Sequence, residues 1–231
     1  MRLVFLGDSL TWGGYGGNWV SEVARRLPKV QVVNAGVGGD TVVNLQRRLP
    51  GVLDEHKPSA MFVMVGGNDA VSYTMPETRP YYRNSKGIKP DGFVSPQAFA
   101  STYRELLSEL LLHHVQPLVG LPPTEYNAAL VEARRQYNQL AQEVAQSFNV
   151  PVLDLALPFM PLRPIEREPV TMAYIREIGQ RSASGWRDFE TERARYGYTY
   201  TFDGMHLLPQ TALRFAELIV SFLRQHLPDL D

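Results

Sequence analysis

Cysteine is absent from the 231 residues, which excludes disulfides, thiolate metal sites and a cysteine nucleophile. Long apolar runs are missing too. No stretch approaches the length of a membrane span. At the amino terminus one basic residue precedes only Leu3-Val4-Phe5-Leu6, far shorter than the apolar core of a signal peptide. The first strand begins almost at Met1, so a cytoplasmic location and no integral membrane association are expected. No charge of one sign dominates either: the formal net charge is −1, and the charges are spread rather than blocked. Nucleic acid and anionic membrane surfaces therefore have no electrostatic support as partners. Neither GGYGG (13–17) nor GVGGD (36–40) is followed by Gly-Lys-Ser/Thr, and neither fits Gly-x-Gly-x-x-Gly, so both phosphate-binding fingerprints fail. No Glu/His pairing at helical spacing suggests zinc. The expectation is no metal and no cofactor.

What the sequence does contain is alternation. The length suits one domain with a sizeable core. Leu3–Leu6 reads as a buried strand, Trp19–Leu27 as an amphipathic helix, Val30–Val33 as a second strand and Thr41–Leu49 as a short helix. Ala60–Val65 (AMFVMV) is an apolar run suited to a central strand covered on both faces. Ser95-Pro96 supplies a cap and a first-turn proline for a helix from Gln97 to about His114. Pro117–Leu121 is a fourth strand, a long helix runs from about Asn127 to Phe148, and Val152–Asp154 is a fifth strand. A last helix spans about Pro209 to His226. This order predicts an α/β fold, a parallel sheet of about five strands with helices on both faces. Ligands on such sheets sit beyond the carboxyl ends of the strands. Two stretches without clear period, Ser72–Val94 and Ala156–Phe202, interrupt the rhythm. A helix around Met172–Gln180 lies inside the second. Both are expected to be loop or lid insertions over the carboxyl edge. No internal repeat or linker marks a second domain.

Four segments at strand ends or before the last helix carry polar groups: Gly7-Asp8-Ser9-Leu10, Asn34–Thr41 (NAGVGGDT), Val65–Ala70 (VGGNDA) and Phe202–Pro209 (FDGMHLLP). Each alone is a plain turn: glycine, aspartate and serine form turns readily, and a single histidine near a helix start is more often structural. Together they fit one task. Acyl transfer by a serine needs a base to take its proton, a carboxylate to orient that base, and donors for the developing oxyanion. Ser9 stands at a strand end, and Asp203 and His206 lie three residues apart in one turn. Backbone N–H groups at Gly38-Gly39 and the Asn68 amide come from two further strand ends.

Those segments, in this chain order, resemble the SGNH hydrolases, the GDSL-type esterase/lipase superfamily, from Gly7 to the final helix. The resemblance implies a flavodoxin-like three-layer α/β/α sandwich and hydrolysis of esters, sometimes thioesters, without metal or organic cofactor. It implies Ser9 as nucleophile, His206 as general base and then acid, and Asp203 as its orienting partner. The implied oxyanion hole comprises the N–H of Ser9, the N–H of Gly39 and the Asn68 side chain. Gly38 and Gly39 are adjacent, and the family's glycine directly before Asp-Thr favours Gly39. Leu207-Leu208, where small or polar residues are common in the family, predicts a more apolar entrance.

Asp8 and Asp69, beside these residues, are candidates for hydrogen-bond acceptors behind the site, and Asp154 for a loop cap. His56, His113, His114 and His226 are expected at the surface. Trp12, Tyr15, Tyr73, Tyr81, Tyr82, Trp186 and Phe189 could line an acyl or sugar pocket or simply pack their own loops. The leading expectation is a serine esterase acting on small to medium acyl esters, its partner a small-molecule ester. The alternative is a carbohydrate O-acetyl esterase, which the aromatic insertions would suit. A thioesterase, a lysophospholipase and a non-catalytic binding module are the remaining readings.

Overall fold

The computed structural model describes residues 1–230. Its elements are β1 (Arg2–Gly7), α1 (Ser9–Trp12), α2 (Trp19–Arg26), β2 (Gln31–Gly36), α3 (Val42–His56), β3 (Ala60–Met64), α4 (Gly67–Thr74) and α5 (Arg79–Ser85). There follow α6 (Pro96–Leu112), β4 (Gln116–Leu121), α7 (Ala128–Ser147), β5 (Val152–Asp154), α8 (Ala156–Phe159), α9 (Met172–Ala183), α10 (Phe189–Tyr196) and α11 (Pro209–His226). Among the described residues, no helix is long and apolar enough to cross a membrane.

All five strands pair in parallel, in the order β2-β1-β3-β4-β5. Side chains alternate across each strand, so each central strand must supply two cores. Val4 and Leu6 of β1 and Met61 and Val63 of β3 face the core built with α3, α6 and α7. Leu3, Phe5, Phe62 and Met64 face the core built with α2 and α11, where Trp19 meets Phe5 edge-on at 5.1 Å. The result is the expected three-layer sandwich. The chain leaves β1 to one side for β2 and returns to the other side for β3. That reversal opens a crevice at the carboxyl ends of β1 and β3, where such sheets bind ligands.

Three expectations are corrected. The helix expected over Thr41–Leu49 continues to His56, through Pro50. Pro50 is exposed, and the stripe Val42, Leu45, Leu49 and Leu53 stays buried on both sides of it, so core contact outweighs the lost hydrogen bond. Residues 72–94 are largely helical rather than loop: α4 extends into them and a 3₁₀ turn at Pro76–Thr78 leads into α5. In the stretch 156–202 the helix expected around Met172–Gln180 forms as α9, and α8 and α10 add to it where only loop was expected. Helix α10 shows no apolar stripe in its sequence. Asp188 caps it at one end, Gly197 ends it at φ 71°, and Arg193 pairs with Glu190 along it.

One buried contact joins the two faces of the crevice. The Asp69 carboxylate, in the first turn of α4, accepts from the Val42 N–H at the start of α3, at 3.1 Å. Burial pushes this carboxyl up to about 7, with the nearby Asp8 charge adding to the rise and the Val42 hydrogen bond opposing it. Between the ordinary aspartate range and about pH 7 the folded chain therefore holds a proton that the unfolded chain has released, so stability falls as pH rises through that window. In Asp69→Asn this contribution disappears. Urea midpoints measured from pH 4.5 to 8 are expected to fall less steeply with pH in the variant than in the parent.

Candidate active site

Ser9 is held by the way β1 ends. A Cβ on Gly7 would lie 2.1 Å from Thr11 Oγ1 and 2.5 Å from the Met64 carbonyl, so the chain bends here only because no side chain is present. Asp8 caps the single turn α1 by accepting from the Leu10 N–H at 3.0 Å. Ser9 is then the first helical residue, and its N–H is among those an α-turn leaves without an internal partner. Trp12 donates back to the Asp8 carbonyl, and Gly13, at φ 71°, closes the turn onto the Ser9 carbonyl.

The opposing group arrives from a loop nearly two hundred residues later. The Ser9 hydroxyl lies 2.9 Å from His206 Nε2, and His206 Nδ1 lies 2.6 Å from Asp203 Oδ2. A carboxylate only accepts, so Nδ1 carries the ring proton and Nε2 is left to accept from Ser9. The other carboxylate oxygen takes the backbone N–H groups of Met205 and His206, at 2.9 and 2.7 Å. Asp203 is fully buried. Burial would lower the His206 pKa, but the Asp203 charge and hydrogen bond, joined by the Asp8 charge, outweigh it and the net direction is upward.

That loop is clamped from outside. Glu125, buried between β4 and α7, accepts from the N–H groups of Thr199, Tyr200 and Thr201 and from the Thr201 hydroxyl, at 2.7–3.0 Å. The Glu125 N–H and the Thr124 hydroxyl both donate to the Gly204 carbonyl. From α9, the Tyr174 hydroxyl donates to the Asp203 carbonyl at 2.9 Å.

Across the crevice, Asn68 stands in the first turn of α4. Its Nδ2 donates to the Asp40 carbonyl at 3.0 Å and, at a longer 3.4 Å, to Asp8 Oδ2, while its Oδ1 accepts from the Tyr82 hydroxyl at 2.8 Å. Gly39 adopts φ 79° at the third position of a turn closed by Asp40 N–H on the Val37 carbonyl, the backbone that position of a type II turn demands. A Cβ there would strike the Tyr81 hydroxyl at 2.2 Å, whereas one on Gly38 would meet only ordinary contacts. Lys86 and Arg48 both pair with the buried Asp40 carboxylate at 2.9 Å.

Ser9 and His206 open on a cavity of about 100 Å³ that Gly38, Gly39 and Asn68 also line. Val71, Val170, Ile175 and Ile178 give it an aliphatic wall, and Tyr15, Tyr81 and Tyr82 border it as well. Residues of both stretches, 72–94 and 156–202, thus contribute to the cavity. The other aromatic candidates do not line it: Trp12 and Tyr73 are exposed, while Trp186 and Phe189 pack against Phe202. The apolar entrance expected from Leu207-Leu208 is also corrected. Both side chains are buried in the cores on either side of the loop, where they anchor it, because the strand-like pairing of Thr201 with Leu207 turns them inward.

His113 and His114 are exposed. His56 and His226 are half-buried at helix ends, the latter against Phe222 at 4.6 Å. Asp154 caps the turn after β5 through the Leu157 N–H. Sequence reasoning missed Glu125 and Arg134. Arg134 lines the same cavity from α7, with its guanidinium against Gly67; burial lowers its pKa, and the Asp8 and Asp69 charges oppose that. A lone charged residue at a core-facing helical position was the one available signal.

A family model described as the GDSL-like lipase/acylhydrolase family matches residues 5–209. "Thioesterase 1/protease 1/lysophospholipase L1" of Escherichia coli (strain K12) is 29% identical over 168 residues, which is 70% of each chain. Among solved structures, a lipase/acylhydrolase from Enterococcus faecalis superposes with TM-score 0.62 at 21% identity, over 97% of this chain and 95% of that one. An acetylxylan esterase from Geobacillus stearothermophilus gives TM-score 0.62 at 18% identity, over 96% and 93%. At these identities the likeness to the solved structures is one of fold.

The clamp has a measurable weight. Glu125→Ala strands the buried N–H and hydroxyl of Thr201 and frees the half-buried N–H groups of Thr199 and Tyr200, for an expected loss of about 3 kcal/mol in urea unfolding. Glu125→Gln, which keeps one acceptor oxygen, is expected to lose less than the alanine variant.

Proposed function

Because the chain belongs to the GDSL-like lipase/acylhydrolase family, we propose that it is a serine esterase that hydrolyses small to medium carboxylic esters through an acyl-enzyme. The observation that carries this reading is the run of contacts from the Ser9 hydroxyl through His206 to Asp203, at 2.9 and 2.6 Å. Ser9 attacks the ester carbonyl as Nε2 of His206 takes its proton, and Asp203 stabilises the imidazolium that forms. The oxyanion is received by the Ser9 N–H, the Gly39 N–H and Asn68 Nδ2. His206 then returns the proton to the departing alcohol, and water, activated the same way, releases the acid.

The small aliphatic-walled cavity favours short acyl groups, so p-nitrophenyl acetate and butyrate are expected to react faster than the octanoate. A carbohydrate O-acetyl esterase is the second reading, supported by Tyr15 and Tyr81 beside the cavity, since aromatic faces stack on sugar rings. Higher kcat/KM on acetylated oligosaccharides than on p-nitrophenyl acetate would favour it. Acyl-CoA and lysophospholipid belong in the same substrate panel. An organophosphate probe that leaves Ser9 unlabelled would point instead to a binding module.

Ser9→Ala is expected to abolish the burst of p-nitrophenol, and Asn68→Ala to lower kcat roughly a hundredfold or more. Only neutral His206 can accept the Ser9 proton, and its pKa is raised. The acid limb of the kcat/KM profile is therefore expected above the ordinary histidine pKa. Asp203→Asn removes the charge responsible, so it should lower kcat and move that limb to more acidic pH.

A further inference from the structure

The Asn68 amide is held at both ends, and one of the holding groups belongs to the segment that the sequence presented as an insertion. A terminal amide turns about a broad χ2 torsion, so one hydrogen bond leaves its plane loosely set. Here the Asp40 carbonyl takes one Nδ2 hydrogen at 3.0 Å, Asp8 Oδ2 takes the other at a long 3.4 Å, and the Tyr82 hydroxyl donates to Oδ1 at 2.8 Å. Tyr82 is 2% exposed, and its ring is braced edge-on by Tyr81 at 5.1 Å. Burial holds its phenol protonated by raising the pKa well above the usual value, with the Tyr81, Asp69 and Asp8 charges adding to the rise and Arg134 opposing it. It is therefore a fixed donor.

The same short segment also grips the other support. Lys86 pairs with the Asp40 carboxylate at 2.9 Å, and the Lys86 carbonyl accepts from Asn44 Nδ2 at 2.8 Å. Residues 79–86 are thus built into the wall behind Asn68 and Gly39.

We propose that Tyr82 is a positioning residue for ester hydrolysis: its buried hydroxyl sets the plane of the Asn68 amide so that the Nδ2 hydrogen not taken by Asp40, which rests only at a long 3.4 Å from Asp8 Oδ2, is the one offered to the oxyanion. This rests on Asn68 being an oxyanion donor, as argued above. The hydroxyl touches no reacting atom and acts through Asn68 alone. By drawing density toward Oδ1 it also makes Nδ2 a stronger donor, the cooperative effect of linked hydrogen bonds. The loss of one such bond from the transition state corresponds to about tenfold in kcat.

The test is a double-mutant cycle with p-nitrophenyl acetate, using Tyr82→Phe, Asn68→Ala and the double variant, with folding checked by thermal midpoint. Tyr82→Phe is expected to lower kcat about tenfold with KM within a factor of two. In the Asn68→Ala background, adding Tyr82→Phe should change kcat less than twofold. Parental kcat in Tyr82→Phe overturns the proposal, as does a tenfold loss that persists without Asn68, since Tyr82 would then act elsewhere. Asn68→Ala with parental kcat instead overturns the oxyanion reading on which the proposal stands, so the two failures are distinguishable.

Discussion

The meeting of His206 with Ser9 depends on the four hydrogen bonds that Glu125 collects from residues 199–201. A loop of backbone amides has no reason of its own to settle over the end of a parallel sheet. A buried carboxylate with only accepting oxygens supplies one, because leaving it unpaired in that setting is costly. Glu125 sits where β4 runs into α7, so the clamp refers the loop to the sheet itself. The Gly204 carbonyl, bonded to Thr124 and Glu125 in turn, locks the position along the loop, and Gly17 donates to the Leu207 carbonyl from the Ser9 side. With that frame in place, the Asp203–His206 pair needs only three residues of local geometry to aim the ring.

Charge is handled in the same economical way on the other side of the crevice. Asp8 caps the turn that carries Ser9, faces Asn68 Nδ2 and adds to the field that favours a charged His206. Asp69 ties α4 to α3, and the buried Arg134 guanidinium packs on Gly67 within the field of both acids. Buried charges of both signs within reach of one another limit the desolvation cost that each would carry alone. Asp40 does similar work nearer the surface, its carboxylate held by Arg48 and Lys86 while its carbonyl holds Asn68.

Much of the architecture was legible because each strand and most helices carry their own pattern. The doubly buried run AMFVMV became the central strand β3. Ser95-Pro96 opened α6, and Val152–Asp154 and Pro209–His226 formed as spaced. Helix α5 and helix α10 were not legible: α5 is held by what it packs against, with Tyr82 buried, and α10 by its Asp188 cap and the Arg193–Glu190 pair rather than by an apolar stripe. Leu207-Leu208 misled for a related reason: apolar residues beside a candidate site can serve the core as easily as the entrance.

The sequence by itself determined the alternating α/β order, the bends after β1, β2 and β3, and the Asp203–His206 turn, because these follow from side-chain period, from glycine and from spacing over a few residues. Only the tertiary structure decided that Glu125 holds the histidine loop, that Tyr82 and Asp40 hold Asn68, and that Leu207 and Leu208 turn inward. Those contacts join residues that lie 14 to 76 positions apart, or turn on which face of a short strand-like pair meets a core. Neither is encoded in a local pattern, since one buried carboxylate or one phenol looks alike wherever it falls in a chain, and only packing selects its partner.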